Sequence, residues 1–385
     1  MIKTGMFLIL FFVLFLSPAN AQEKLTFSQA REISQNTGKP LLLDFYHDDC
    51  ESCKMAAEEM DTSAVVKKAL EKAVYLSLSV LETEGGQLAD EYKVGNNYPV
   101  FILLNTAGDI VRRWTGYSSV GHFAAMLKQA LADLSTVDDR LKRFKKNPTF
   151  ADAATLAKYY SDSKEYLKAL EFYAQAEKLG GSSIDYSYEI FSNTAGAFWD
   201  DMIESDRLFA AADRAVKSKK DIANVVRVGL IMANIFRNKD ISGDLAEYLQ
   251  AGIKATSGSR DDKFREYNAL LRADYALHVE NDFAKAIQIK KASMGEGWEN
   301  DRDKSFAFAK WCLERKINLE EAENYARRTV NQVLPGKRRA IVLNTLAEIY
   351  YYQGESDKAV KIIEMAIEED PEKEFYKEQL EKFLE

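Results

Sequence analysis

Patterns that read as β-strand stop at about Leu134. Nothing from Ser135 to the C-terminus combines the length, alternation and flanking turns of a strand, whereas helical and strand patterns alternate from about Leu25 to Leu134. A chain of 385 residues divides into two or three domains on length alone. The change of texture places one boundary near residue 135 and predicts an α/β domain followed by an all-α region. Before it, Leu25–Thr37 is amphipathic and ends at Gly38-Lys39-Pro40, a stop signal. Leu41–Tyr46 (LLLDFY) suits a strand buried on both faces, Cys50–Glu59 starts a helix, and Ala73–Val80 alternates like a strand. Leu88–Tyr92 is a short helix, Val100–Leu104 and Ile110–Trp114 flank a Gly-containing turn, and Gly121–Leu134 closes the domain as a helix. The expected order is α-β-α-β-α-β-β-α.

The helical remainder repeats. From Ala157, residues Tyr160, Ala169, Tyr173 and Ala176 follow at gaps of 3, 12, 16 and 19, and from Ala347 the same gaps reach Tyr350, Ala359, Ile363 and Ala366. Small residues at such spacings let paired helices approach closely while the larger side chains fill the groove. The late small residue of each unit falls at Ala176, Ala215, Gly252, Ala292, Thr329 and Ala366, at spacings of 37 to 40. Six helical hairpins fit, each needing its neighbours to bury its apolar face.

The first 21 residues differ from both regions. Lys3 precedes an apolar run from Met6 to Leu16, and Ala19 and Ala21 take the −3 and −1 positions of a cut before Gln22. This is the layout of a secretory signal, and the run is too short for the roughly 20 residues of a spanning helix. The chain is therefore expected to be exported, to the periplasm in a double-membraned bacterium. The remainder is 22–135 and 136–385. A net charge of −8 argues against a nucleic-acid partner.

Cys50-Glu51-Ser52-Cys53 is the one motif that carries chemistry. It follows a buried-type strand and opens a helix, a context far more specific than the four letters alone. The spacing brings two sulfurs within bridging distance in one helical turn. Cys50 would sit at the helix N-terminus, where unpaired N–H groups and the helix dipole stabilise a thiolate, and Cys53 would lie deeper. The residues alone leave a purely structural disulfide open. A zinc site would need four ligands, and beyond the pair only Cys312, His47, His122 and His278 are available, so no metal site is expected. No P-loop, dinucleotide fingerprint or H-E-x-x-H occurs, and no cofactor is expected. Cys312 reads as a buried helix thiol and Lys142–Lys146 (KRFKK) as a solvated helix face.

LLLDFYHDDCESCKMAAEEM resembles the active-site segment of the thioredoxin fold, and the resemblance extends over about Leu25–Leu134. It implies redox-active cysteines at Cys50 and Cys53, a buried acid at Asp44 that assists proton transfer, and a cis-proline at Pro99. The backbone around Tyr98 and Pro99 would then hold the client strand. Lys54 falls at the family's basic position after the second Cys, and Gly116 where a Gly follows the last strand. The unit LNTLAEIYYYQGESDKAVKIIEMAIEEDP is similar to the tetratricopeptide repeat, which implies a solenoid that recruits a protein partner or client.

The match has departures. Asp49 stands where the family commonly has Trp, and Glu51-Ser52 separates the cysteines. Carboxylates at Asp48, Asp49 and Glu51 oppose the helix dipole, which disfavours the thiolate and makes the couple more reducing. His47, if protonated, would offset them. The signal-like segment and the resemblance together imply an exported thiol–disulfide oxidoreductase, with reductase favoured and oxidase or isomerase left open, and with protein disulfide clients and a membrane electron donor. The alternative is a redox-inert scaffold whose repeats do the work.

Overall fold

The computed structural model describes residues 25–48, 50–95, 97–218 and 221–385. The expected signal segment and Asp49 lie outside the described residues. The chain divides into two compact units, with the division between Glu165 and Tyr166.

The first unit is built on a four-stranded sheet of order β2-β1-β3-β4, formed by β1 (Leu41–Tyr46), β2 (Val74–Ser79), β3 (Val100–Leu104) and β4 (Ile110–Thr115). β1 runs parallel to β2 and antiparallel to β3, and β3 pairs antiparallel with β4. Successive side chains of a strand point to opposite faces. Leu41, Leu43 and Phe45 join Leu76, Leu78 and Ile102 in one core with Ala30 of α1 (Phe27–Thr37) and Leu88 of α4 (Thr83–Glu91). Leu42, Phe101, Leu103 and Trp114 form the other with Met60 of α2 (Glu51–Thr62), Val66 of α3 (Ala64–Leu70) and Phe123 and Leu127 of α5 (Val120–Ala132). Helices on both faces explain why β1 and β3 read as continuous apolar runs rather than alternating ones.

Two elements differ from the sequence reading. Helix α3 was not expected; Ser63 caps it by accepting from the Val66 N–H. Helix α4 begins five residues earlier than Leu88 and runs through Gly85 and Gly86. A Cβ on Gly85 would lie 2.0 Å from the Ser79 carbonyl oxygen, so the approach of α4 to the end of β2 requires glycine there.

Two further helices, α6 (Val137–Lys146) and α7 (Phe150–Asp162), pack on β4 within this unit. They lie beyond the boundary at residue 135, and α7 is the first helix of the first expected repeat. Ions hold them. Asp152, almost wholly buried, accepts from Arg140 at 3.4 Å and from Arg143 at 2.5 Å. Arg143 also reaches Asp133 at 3.0 Å, so this member of the basic run, though exposed, is tied to the buried Asp152 carboxylate, while Lys142, Lys145 and Lys146 are exposed as expected.

The second unit is all-helical: α8 (Tyr166–Gly180), α9 (Ser187–Trp199), α10 (Ser205–Ser218), α11 (Ile222–Asn238), α12 (Leu245–Thr256), α13 (Asp262–His278), α14 (Phe283–Ala292), α15 (Arg302–Arg315), α16 (Leu319–Gln332), α17 (Lys337–Tyr352), α18 (Ser356–Glu369) and α19 (Glu374–Leu384). Successive helices pack on one another from α8 to α14 and from α15 to α19, and α11 also reaches α9 and α13 while α15 reaches α17. This is the pattern of a helical-repeat arm. Of the six spaced small residues, Ala176, Ala215, Gly252, Thr329 and Ala366 are buried and Ala292 is exposed. Asp274 of α13 is buried and accepts from Arg315 of α15 at 2.8 Å and Arg237 of α11 at 3.3 Å, tying three alternate helices together.

Candidate active site

Cys50 is the N-cap of α2, and its sulfur accepts a hydrogen bond from the Cys53 N–H at 3.1 Å. Its backbone N–H donates to the His47 carbonyl and its carbonyl accepts from Lys54 N–H, which holds the turn between β1 and α2. Cys50 and Cys53 form a disulfide. Cys50 is partly exposed and Cys53 is buried. The two sulfurs therefore differ in access, the asymmetry that a nucleophile and a resolving thiol require.

The loop before β3 lies beside them. Ser52, between the two cysteines, donates from Oγ to the Tyr98 carbonyl at 3.2 Å, and its hydroxyl is also 3.2 Å from Cys50 Sγ. The Tyr98–Pro99 peptide bond is cis. The His47 and Tyr98 rings lie 5.9 Å apart. Pro99 is buried, and its carbonyl accepts from the Gly116 N–H. Gly116 has φ +85°, which favours glycine at this turn out of β4. The C-x-x-C, Tyr98 and Pro99 are thus brought together.

Asp44 sits on the face of β1 that also carries Leu42, opposite Ser77 of β2 and Phe101 of β3. It is 6% exposed. Its Oδ2 accepts from the Tyr75 hydroxyl at 2.6 Å, and its Oδ1 has no hydrogen-bond partner among the described residues. Burial pushes the Asp44 carboxyl up to about 6, and the hydrogen bond from Tyr75 pulls the other way. The Tyr75 phenol is itself pushed well above its usual range, first by burial and then by the Asp44 charge.

Two of the carboxylates expected around Cys50 have partners. Asp48 accepts from the Ser79 hydroxyl at 3.1 Å, and Glu51, fully in solvent, pairs with Lys54 at 3.1 Å. Cys312 lies in α15, wholly buried, with its thiol pushed up to about 12 by burial. Among the described residues no group of three or more His, Cys, Asp and Glu is placed to hold a metal ion, and no helix is long and apolar enough to cross a membrane.

Ser52 and Tyr75 were missed from sequence. Ser52 had no signal beyond its place between the cysteines. Tyr75 did: strand alternation and a parallel pairing put it on the face of Asp44, but only the register brings the two groups into contact.

Residues 27–131 match the family described as a thioredoxin-like domain. This stretch of the chain is a thioredoxin-like domain. Among solved structures, a thioredoxin from Thermus thermophilus is 27% identical, covering 27% of this chain and 82% of that one, with a TM-score of 0.25. The C-terminal domain of Neisseria meningitidis DsbD, in its oxidised form, is 23% identical, covering 28% of this chain and 98% of that one, with a TM-score of 0.24. A comparison with curated proteins finds no match. The thioredoxin-like domain carries the C-x-x-C, and its family suggests thiol–disulfide chemistry.

Proposed function

We propose that the chain is an exported thiol–disulfide oxidoreductase that works as a reductase, and that its helical arm, read as tetratricopeptide-like, binds a protein client or partner. The observation that carries the reading is the pair itself: Cys50 at the N-terminus of α2 with its sulfur accepting the Cys53 N–H, and Cys53 buried behind it. In the reduced state, that N–H and the helix dipole stabilise a Cys50 thiolate. The thiolate attacks one sulfur of a client disulfide; the other client sulfur leaves as a thiolate and takes up a proton. Cys53 gives its proton to Asp44 and attacks Cys50 Sγ. The Cys50–client bond breaks, the second client thiol is released, and Cys50–Cys53 is oxidised as the client is reduced. The backbone at Tyr98 and Pro99 is the surface against which the client strand lies. The Met1–Ala21 segment supports export. In an oxidising compartment the disulfide is then returned to the dithiol by an external electron donor at the membrane.

Cys50→Ser in the full chain tests this. With dithiothreitol as donor, the unaltered protein should accelerate insulin reduction and the variant should lose at least 100-fold, while Cys53→Ser should accumulate a mixed disulfide through Cys50. An unaltered protein that does not accelerate insulin reduction, with cellular function that survives Cys50→Ser, would favour the redox-inert scaffold.

A further inference from the structure

Tyr75 is a half-buried phenol whose hydroxyl is aimed at Asp44, a buried carboxylate of β1. Its phenol donates to Asp44 Oδ2 at 2.6 Å from the neighbouring parallel strand, while Oδ1 of the same carboxylate has no partner among the described residues. The two oxygens of Asp44 are therefore not equivalent. One is held; the other is the acceptor left for a proton.

We propose that Tyr75 is a positioning residue for proton transfer: its hydroxyl anchors Asp44 Oδ2, stabilises the ionised carboxylate and reserves Oδ1 for the proton of the resolving Cys53 thiol. The inference rests on the redox reading of Cys50 and Cys53 given above. α2 covers the face of the sheet that carries Asp44, since its Met60 joins Leu42 and Phe101 in that core, and Cys53 lies buried at the start of the same helix. Tyr75 is suited to the task because its surroundings on balance hold its proton in place, with only the Ser77 hydrogen bond pulling the other way. Burial and the carboxylate both disfavour the phenolate, so it remains a donor throughout the neutral range.

The surroundings supply little else. On β2, Ser77 bonds Tyr75; on α2, Asp61 acts on Tyr75 with the same sign as Asp44; β3 presents Phe101, which is apolar and buried. Without the phenol, Asp44 would keep its desolvation and lose the one hydrogen bond that lowers it. A hydrogen bond to a charged group is worth enough to move a titration by about one pH unit or more. The carboxylate form needed to accept a proton from Cys53 would then be scarcer at pH 6 to 7.

The test compares full-length protein with Tyr75→Phe, which removes the hydroxyl and keeps the ring. Single-turnover reduction of a disulfide-linked fluorescent peptide by the reduced protein is followed from pH 4.5 to 8. The acid limb should move up by about one pH unit, with a several-fold loss of rate at pH 6. The pH dependence of Cys50 alkylation should not move. In an Asp44→Asn background, Tyr75→Phe should cause no further loss. The carboxyl 13C shift of Asp44 in the oxidised protein gives a second readout that needs no turnover, and its midpoint should rise in Tyr75→Phe. A midpoint that stays or falls, or an undiminished loss in the Asp44→Asn background, would overturn the role of Tyr75. If instead Cys50→Ser still reduces the peptide, the redox reading fails, while the 13C titration still decides whether Tyr75 holds Asp44.

Discussion

A carboxyl on a strand whose flanking residues are all apolar is costly to bury ionised, and Asp44 shows the cost. Its proton is held up to about 6 in the fold against 3.8 ordinarily. The sign follows: the folded chain keeps the proton longer than the unfolded chain, so stability falls as pH rises from about 3.8 to about 6, and the loss is complete above that. It amounts to on the order of 3 kcal/mol. Asp44→Asn should remove this dependence and make the oxidised domain more stable at pH 8, while slowing disulfide exchange. Hydrogen exchange of the β1 and β3 amides against pH, corrected for intrinsic rates, checks the first part; an unchanged pH slope in the variant would refute it. Asp44 was legible as a candidate because a lone acid in LLLDFY contradicts its surroundings. Its partner Tyr75 was not, because a hydrogen bond between strands depends on register. Glu51 shows the opposite limit. Its charge was legible, but its pairing with Lys54 in solvent decides how much of that charge Cys50 feels.

At the scale of elements, the strand–turn–helix around the C-x-x-C was readable because each part has a local cause: an apolar run, then a cysteine that caps its own helix. Helix α4 was misjudged because Gly85-Gly86 reads locally as a breaker. The structure supplies the reason for glycine, the Ser79 carbonyl at 2.0 Å from where a Cβ would stand. Because the obstruction is backbone, it cannot swing aside. Gly85→Ala should lower the stability of the α/β domain by about 3 kcal/mol, the top of the usual range for overpacking. Ser79 also holds Asp48 through its hydroxyl, so peptide reduction should slow as well. A thermal midpoint of the domain transition within a degree of the parent would show that β2 and α4 part without cost. Helices α6 and α7 illustrate a further limit. Their sequences are as helical as any later pair, and nothing local says that Asp152 will bury its charge against Arg140 and Arg143 while α7 packs on β4.

For the whole molecule, the two units have separate cores. Those of the first unit lie on the two faces of the sheet, and those of the second among α9–α13 and α13–α19. Separate cores should respond separately to damage. Ala359 of α18 is wholly buried and α18 packs on α17, so Ala359→Leu should strain that pair by about 1–3 kcal/mol. Amide exchange in α17 and α18 should quicken while insulin reduction stays within twofold of the parent. Loss of reduction as complete as in Cys50→Ser would mean that the units do not act independently.

The sequence by itself determined the kind of structure in each half, because hydrophobic period and turn residues are local properties that survive without a partner. It also determined the chemistry-bearing pair, since four consecutive residues place two sulfurs in one helical turn. Tertiary structure alone decided what surrounds that pair: which oxygen of Asp44 is held, that Ser52 ties the motif to Tyr98, and that β4 is covered by α6 and α7. These depend on strand register and on which helix reaches which face. Both are set by the packing of residues distant in the chain, and no local pattern encodes them.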